Sequence, residues 1–193
     1  ADGDWSSDVC SSDLIFTTTG EKKPIHDFRD VCNERVVRHS TAKQSLYSDK
    51  PFMTGALARI NINGHLLKGH AKEALEALLP ETPCYNDLHN NTAQFIELIH
   101  SLERSLVLVK KLLNEALENE EPIQQAVHSG TGVGALEAPR GTLYHNYEID
   151  DDGIVTDADI ITPTAQNLAN IEKDFRTALT KEMDRSKEEI QQH

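Results

Sequence analysis

The residues with the clearest capacity for chemistry lie in a short loop of sequence EAPRG, which spans Glu137 to Gly141. Proline fixes one backbone dihedral angle, so Pro139 restricts how the loop presents Arg140. Arginine stays protonated and offers a planar fork of N–H donors, which suits a buried anion or a carboxylate. From residue types alone, two roles remain open for Arg140: a structural ion pair with Glu137 or a neighbour, and anion recognition in an active site.

Two other motifs could suggest binding sites, but simpler explanations are favoured. GTGVG, at 130–134, has glycines like those of a phosphate-binding loop. Such a loop follows a strand and opens a helix, whereas a predicted helix precedes this one. We interpret these glycines as backbone positions that need positive φ or close packing. The acidic run 150–152 would need further ligands at fixed steps to bind calcium, so we expect a solvated turn.

Cysteine and histidine give no indication of a metal site. Cys10, Cys32 and Cys84 form no CxxC pair, which disfavours a zinc site and a disulfide framework and favours a reducing compartment. The histidines are scattered and none lies in an HExxH motif, so we expect ordinary hydrogen bonds for them. A net charge of −13 without a polybasic run argues against nucleic-acid binding. We recognise no secretory signal and no apolar run of membrane-spanning length.

The first fourteen residues have an unusual composition. Residues 4–14, DWSSDVCSSDL, are rich in serine and aspartate and coincide with one reading frame of a common sequencing adapter. We expect residues 1–14 to be an adapter-derived, disordered artefact, because they carry too little apolar surface to offset the entropy cost of ordering. The authentic sequence then begins near Ile15, within a longer gene. A natural disordered tail is the alternative.

The elements around the EAPRG loop are predicted to be mainly helical. Apolar residues recur at three- and four-residue steps through 92–118, which predicts a long helix buried between other helices. Shorter helical patterns occupy 71–79 and 165–192. Residues 142–149 and 154–161 alternate in polarity around the turn Asp151–Gly153, which predicts a β-hairpin. We therefore expect an α+β fold that is mainly α with a small β-hairpin or sheet. The apolar stripe of the long helix comprises Phe95, Ile96, Ile99, Leu102, Leu106, Val109, Leu113 and Leu117.

A longer sequence pattern surrounds the loop. Residues 133–175, VGALEAPRGTLYHNYEIDDDGIVTDADIITPTAQNLANIEKDF, contain EAPRG, a histidine-bearing hairpin and a PT-x-x-N turn. This combination resembles the large subunit of nickel-iron hydrogenases. HSTAKQS, PFMTGALARINING and NNTAQFIELIHSLE resemble the same family in the same order. The resemblance covers Ile15 to about Ile190 and is strongest to the cytoplasmic branch that couples hydrogen to nicotinamide or similar carriers.

The resemblance implies that residues 15–193 are an internal fragment of a catalytic subunit for reversible H2 oxidation and proton reduction, coupled to a soluble carrier such as NAD(P). In this family a nickel-iron pair is bridged by cysteines of two CxxC motifs, and the iron carries cyanide and carbon monoxide. The resemblance implies that Arg140 lies over the metals as the catalytic residue, with Pro139 in the pocket wall and Thr164 beside a cyanide. Pro139, Arg140 and Thr164 are then the cofactor-binding residues. For the family's histidine, at His145, we expect a structural hydrogen bond.

The sequence departs from the family at the metal ligands. Neither CxxC motif is present, and Cys32 and Cys84 match no ligand position. Because a soft nickel-iron pair requires thiolates, we expect no metal on this fragment and no activity. The implied partners are an iron-sulfur small subunit and diaphorase-type subunits, in the cytoplasm. The alternatives are a nickel-free relative, such as a quinone-side subunit of a respiratory complex, and a non-catalytic helical scaffold.

The hairpin also predicts where the two candidate segments lie. Antiparallel strands return the chain to the level from which it left. Arg140 precedes the first strand and Thr164 follows the second, so we expect both at the same end of the hairpin. We further expect both side chains to point into one cavity.

Overall fold

The computed structural model describes residues 14–115, 121–122 and 126–182. Helices and small antiparallel sheets alternate along the chain, which confirms the predicted α+β class. Residues 1–13 of the predicted adapter segment lie outside the described residues. Leu14, which that prediction included, belongs to the first strand and pairs with Pro24, so the predicted disorder does not reach it. Across the described part of the chain, no helix combines the length and apolar composition needed to cross a bilayer.

The N-terminal part consists of two small hairpins around a short helix. Strands β1 (Leu14–Phe16) and β2 (Lys22–Pro24) form the first hairpin. Strands β3 (Asn33–Arg35) and β4 (Gln44–Leu46) form the second. Between them lies α1 (Phe28–Val31). The core on this side of the molecule contains Ile15, Phe28, Val31, Cys32, Tyr144 and Ile161.

Three helices follow and build a second core. These are α2 (Ala56–Asn63), α3 (Gly69–Leu78) and α4 (Asn90–Asn114), which confirms the predicted helices at 71–79 and 92–118 in type and approximate position. The predicted residues 116–118 of the long helix lie outside the described part. This core contains Ala56, Leu57, Ile60, Leu67, Ala71, Leu79, Ala93 and Ile96.

The apolar stripe of α4 is buried only near its beginning. Ala93 and Ile96 are fully buried, and Ile99 packs against the same core. Further along, Leu102 is 64% and Leu106 is 56% exposed. The prediction of a helix buried between other helices is therefore wrong for its second half. The reason is that α2 and α3 pack against the first half, while the stripe continues beyond them.

A three-stranded antiparallel sheet and a C-terminal helix complete the fold. The strands are β5 (Gly130–Ala138), β6 (Gly141–Ile149) and β7 (Val155–Ile161), in the order β5-β6-β7. The predicted hairpin is confirmed as β6–β7. In its turn, Asp150 Oδ1 accepts hydrogen bonds from the amides of Asp152 and Ile154, at 3.0 and 2.9 Å. Helix α5 (Pro163–Glu182) confirms the predicted start of the last helix, whose predicted end lies outside the described residues.

Strand β5 is one of the elements that the sequence analysis did not predict. The GTGVG glycines were expected to need positive φ or close packing, and this expectation is wrong. They lie in a strand, and a Cβ at Gly130, Gly132 or Gly134 would meet open space. Gly132 lies opposite Tyr147 and Gly134 opposite His145 on β6. The backbone pairing of β5 with β6 along its full length therefore holds these glycines in a strand despite their weak strand preference.

Candidate functional site

Pro139 and Arg140 form the two-residue turn between β5 and β6, with Ala138 paired to Gly141. Gly141 has φ of +131°, a region that favours glycine. A Cβ at this position would also collide with the side chain of Thr54. The glycine that follows the arginine is therefore required both by the backbone conformation and by packing.

Three consecutive carbonyl groups of this turn each accept a side-chain hydrogen bond. Arg59 on α2 donates from Nη1 to Ala138 O at 3.0 Å and from Nη2 to Pro139 O at 3.2 Å. Asn167 on α5 donates from Nδ2 to Arg140 O at 3.0 Å. Two helices distant in sequence thus hold the backbone of the turn on which Arg140 is carried.

Arg59 is the central buried charge of this region, with 7% of its surface exposed. Its Nε and Nη2 donate to the two carboxylate oxygens of Glu97 at 2.5 and 2.8 Å, and its Nη1 donates to Glu137 Oε2 at 2.6 Å. Burial by itself would lower the pKa of Arg59. The hydrogen bonds and charges of Glu97 and Glu137 outweigh burial and raise that pKa, so the guanidinium stays charged.

The ion pair considered for Arg140 is made by Arg59 instead. Glu137 binds Arg59 through Oε2 and accepts from Thr142 Oγ1 through Oε1 at 2.6 Å. The Arg140 side chain is exposed and has no hydrogen-bond partner among the described residues. The sequence analysis missed Arg59 and Glu97. An arginine within the apolar segment GALARI was the available indication, since a buried arginine requires paired acceptors.

The PT-x-x-N segment lies beside this turn. Strand β7 ends at Ile161, opposite Tyr144 near the start of β6, and α5 begins directly afterwards at Pro163. The start of β6 and the end of β7 therefore lie at the same end of the sheet, as predicted. The hydrogen bond from Asn167 to Arg140 O joins the two segments directly. The Thr164 side chain, like that of Arg140, is exposed.

A third segment, which contains Thr54 and Gly55 before α2, completes the junction. The amide of Thr54 donates to Asn167 Oδ1 at 2.8 Å. Gly55 has φ of +121°, and a Cβ there would lie 3.2 Å from Arg140 O. Segments PFMTGALARI, EAPRG and PT-x-x-N, which are far apart in the sequence, therefore converge on one turn.

A cavity of about 150 Å³ lies on the inner side of this junction. Gln166 closes part of its wall by donating from Nε2 to Thr142 O at 2.6 Å. Neither Arg140 nor Thr164 lines this cavity, so it is not the shared cavity that was expected for them. Its polar lining includes Tyr47, Thr54, Arg59, Glu137, Thr142 and Gln166.

Comparison with known proteins shows to which family this chain belongs. No family model matches the chain. It is 42% identical over 168 residues to the sulfhydrogenase 1 subunit alpha of Pyrococcus furiosus, a match that covers 85% of this chain and 38% of the relative. The crystal structure of an NAD+-reducing [NiFe]-hydrogenase in the H2-reduced state matches with a TM-score of 0.62 and 27% identity, over 83% of this chain and 38% of that one. The chain belongs to the nickel-iron hydrogenase family.

A further hydrogenase subunit supports the assignment. The NAD-reducing hydrogenase HoxS subunit beta of Cupriavidus necator is 33% identical over 154 residues, which cover 74% of this chain and 31% of the relative. This chain thus spans well under half the length of the hydrogenase subunits that it matches. The match confirms the resemblance inferred from EAPRG and PT-x-x-N.

Within residues 14–115 and 126–182, no group of three or more His, Cys, Asp or Glu side chains could hold a metal ion. Cys32 is fully buried, and burial raises the pKa of its thiol to about 11, so it is protonated at neutral pH. Cys84 is half-buried, on the loop before α4. His145 Nδ1 and Tyr147 Oη are hydrogen-bonded at 2.9 Å, so the hydrogen bond expected for that histidine is present.

Proposed function

We propose that this chain is an internal segment of the catalytic subunit of a hydrogenase that reversibly oxidises H2 or reduces protons. The observation that supports this function best is the turn at Pro139–Arg140, which side chains of α2 and α5 hold in place by hydrogen bonds. Its backbone is held at three consecutive carbonyls, while the Arg140 guanidinium is exposed and unpaired within the described residues. A permanent cation on a rigid turn suits recognition of an anionic or anion-like ligand.

In the full-length protein we assign Arg140 as the catalytic residue, with Pro139, Arg140 and Thr164 around the iron cyanide ligands. The nickel-iron centre, with cyanide and carbon monoxide on the iron, would supply the H2 chemistry there. Metal-bound cyanide is an anion-like acceptor that a guanidinium and a hydroxyl can orient. Arginine holds its protons tightly, so we assign Arg140 to charge stabilisation and orientation. The residues described here fit this outer contact but not the ligation of the metals.

The proposed electron carrier is a soluble nicotinamide such as NAD(P). One relative is named an NAD-reducing hydrogenase, and the matching crystal structure is of an NAD+-reducing enzyme. We accordingly propose an iron-sulfur small subunit and diaphorase-type subunits as partners, in the cytoplasm. The hydrogenase names of the relatives support this function over a nickel-free respiratory subunit or a non-catalytic scaffold.

The test starts with the gene that surrounds this segment. The full-length subunit, expressed with its small subunit, should carry stoichiometric nickel and iron, reduce a viologen dye with H2 and then reduce NAD+. The 193-residue chain, purified in parallel, should contain no nickel and give no turnover, because it lacks both CxxC pairs. A full-length subunit without CxxC motifs or nickel would refute the proposed function.

A further inference from the structure

We propose that Arg59 is a positioning residue for the Pro139–Arg140 turn, and thereby for the site proposed above, on which this inference partly rests. Arg59 lies on α2, about 80 positions before the turn. It contacts the turn only through backbone carbonyls, so it acts on the orientation of Arg140 rather than on a ligand.

The geometry of Arg59 supports this role because every donor of its guanidinium is used. The Nε–H group donates a hydrogen bond to Glu97. The two Nη1–H groups donate to Glu137 and to Ala138 O, and the two Nη2–H groups donate to Glu97 and to Pro139 O. A guanidinium has five N–H donors in a fixed plane, and here five acceptors surround it. The positions of Ala138 and Pro139 are therefore tied to one rigid plane.

The two carboxylates fix that plane in turn. Glu97 holds one edge through both of its oxygens, and Glu97 itself lies on α4. Glu137 holds the other edge and is further anchored by Thr142 Oγ1 at 2.6 Å. The guanidinium plane of Arg59 is thus fixed to α4 through Glu97 and to the β5–β6 sheet through Glu137. A buried network in which every member is satisfied holds a single geometry.

Lysine cannot replace Arg59 in this network. An ammonium group has three donors on one atom and cannot reach two carboxylates and two carbonyls in one plane. Arg59→Lys keeps the positive charge between Glu97 and Glu137, so it separates loss of charge from loss of the fork. Removing the charge altogether would leave the two partly buried carboxylates of Glu97 and Glu137 without their cationic partner, which would destabilise the whole fold. Arg59→Lys is therefore the informative variant.

The matched control is Arg176→Lys. Arg176 also donates from two nitrogens to a carboxylate, Glu172 Oε1, at 3.0 and 2.7 Å. Its side chain is 75% exposed and lies within α5, away from the turn. The same chemical change is thus made at a site where the arginine holds no backbone carbonyl of the turn.

The first experiment uses the 193-residue chain and amide hydrogen exchange measured by NMR. In Arg59→Lys, the turn amides of Gly141 and Thr142 should exchange at least ~10-fold faster, while amides of α3 stay within about twofold of the parent chain. Arg176→Lys should change neither set. Unchanged exchange at the turn in a folded Arg59→Lys variant would overturn the proposal.

A measurement on the parent chain covers the case in which Arg59→Lys fails to fold. The side-chain Nε–H of Arg59 should exchange with solvent at least ~10-fold more slowly than that of Arg140, because one is saturated and buried and the other is exposed. Equal rates for the two arginines would overturn the proposal without any variant.

The readout for the site itself is infrared spectroscopy of the full-length enzyme with its small subunit. Arg59→Lys should shift the cyanide stretching bands in the same direction as Arg140→Lys, with nickel and iron content unchanged, and the double variant should shift them no further. A purely structural role would lower the yield of loaded enzyme without moving the bands, and unmoved bands would refute positioning. Complete absence of cyanide bands in the parent enzyme would refute the proposed function, whereas hydrogen exchange would still decide the role of Arg59 at the turn.

Discussion

Asn167 donates from Nδ2 to the carbonyl oxygen of Arg140 at 3.0 Å, across 27 positions of sequence. The same amide accepts from the Thr54 N–H at 2.8 Å through its Oδ1. One side chain near the start of α5 therefore joins the EAPRG turn to the segment before α2. Both halves of its amide are used, so the junction depends on an asparagine and not merely on a polar residue.

Asn167→Ala should destabilise the chain by about 1–3 kcal/mol, because it leaves the partly buried Thr54 amide without its acceptor and also removes the exposed hydrogen bond to Arg140 O. Urea unfolding followed by circular dichroism measures the change. Asn91→Ala, at an exposed position on α4, should stay within about 0.5 kcal/mol of the parent. Equal effects of the two substitutions would show that the junction contributes nothing to stability.

Gly141→Ala should destabilise the chain by about 1–3 kcal/mol or prevent folding, because its φ is +131° and the added Cβ meets Thr54. Gly134→Ala is the matched substitution in β5, where φ is not positive and a Cβ meets open space. It should change the free energy of unfolding by less than about 1 kcal/mol. Thermal unfolding of both variants tests this, and a harmless Gly141→Ala would contradict the turn geometry.

Ile96→Ala should cost about 2–5 kcal/mol, since Ile96 is fully buried where α4 packs against α2 and α3. Leu106→Ala, on the same helix, should cost less than about 0.5 kcal/mol in this chain, because Leu106 is 56% exposed. Chemical denaturation of both variants gives the comparison. Similar losses at both positions would show that the second half of the stripe is covered in solution.

Acid should weaken the contact between α5 and the 39–45 segment. Hydrogen bonds from Gln44 and then Arg176 lower the pKa of Glu172 from 4.5 to about 2, and His39 adds to the effect. A depressed pKa in the folded state stabilises the fold above pH 4.5, and this contribution is lost as the pH falls from about 4.5 towards 2. Urea unfolding between pH 6 and pH 2.5 should therefore show a smaller pH dependence in Glu172→Gln. Glu76→Gln, at an exposed pair with Lys72, should keep the parent's dependence.

Arg140→Lys in the full-length enzyme should reduce H2-dependent dye reduction by at least about tenfold, because the charge remains but the planar fork is lost. Nickel and iron content, measured by elemental analysis, should stay near the parent value. Arg176→Lys serves again as the control and should leave turnover unchanged. Parental turnover in Arg140→Lys would remove this residue from the proposed site.

Local patterns predicted several elements correctly. The β6–β7 hairpin follows from alternating polarity around Asp151–Gly153, and α3 and α4 follow from the helical spacing of apolar residues. The EAPRG and PT-x-x-N motifs predicted the family, and the antiparallel hairpin between them predicted that both would lie at the same end of it. Each of these predictions depends on residues that are close together in the sequence or on a complete sequence motif.

Only the tertiary structure decided the rest. Whether an apolar stripe is buried depends on which elements reach it, so Ile96 and Leu106 differ although their local patterns are alike. The glycines of β5 become a strand because β6 offers a pairing register that outweighs their own weak preference. Arg59 binds a turn about 80 positions away, and a contact between residues so far apart produces no periodic pattern in the sequence. The spacing of apolar residues predicts local secondary structure. The partners of a buried charge, in contrast, depend on which distant elements pack around it.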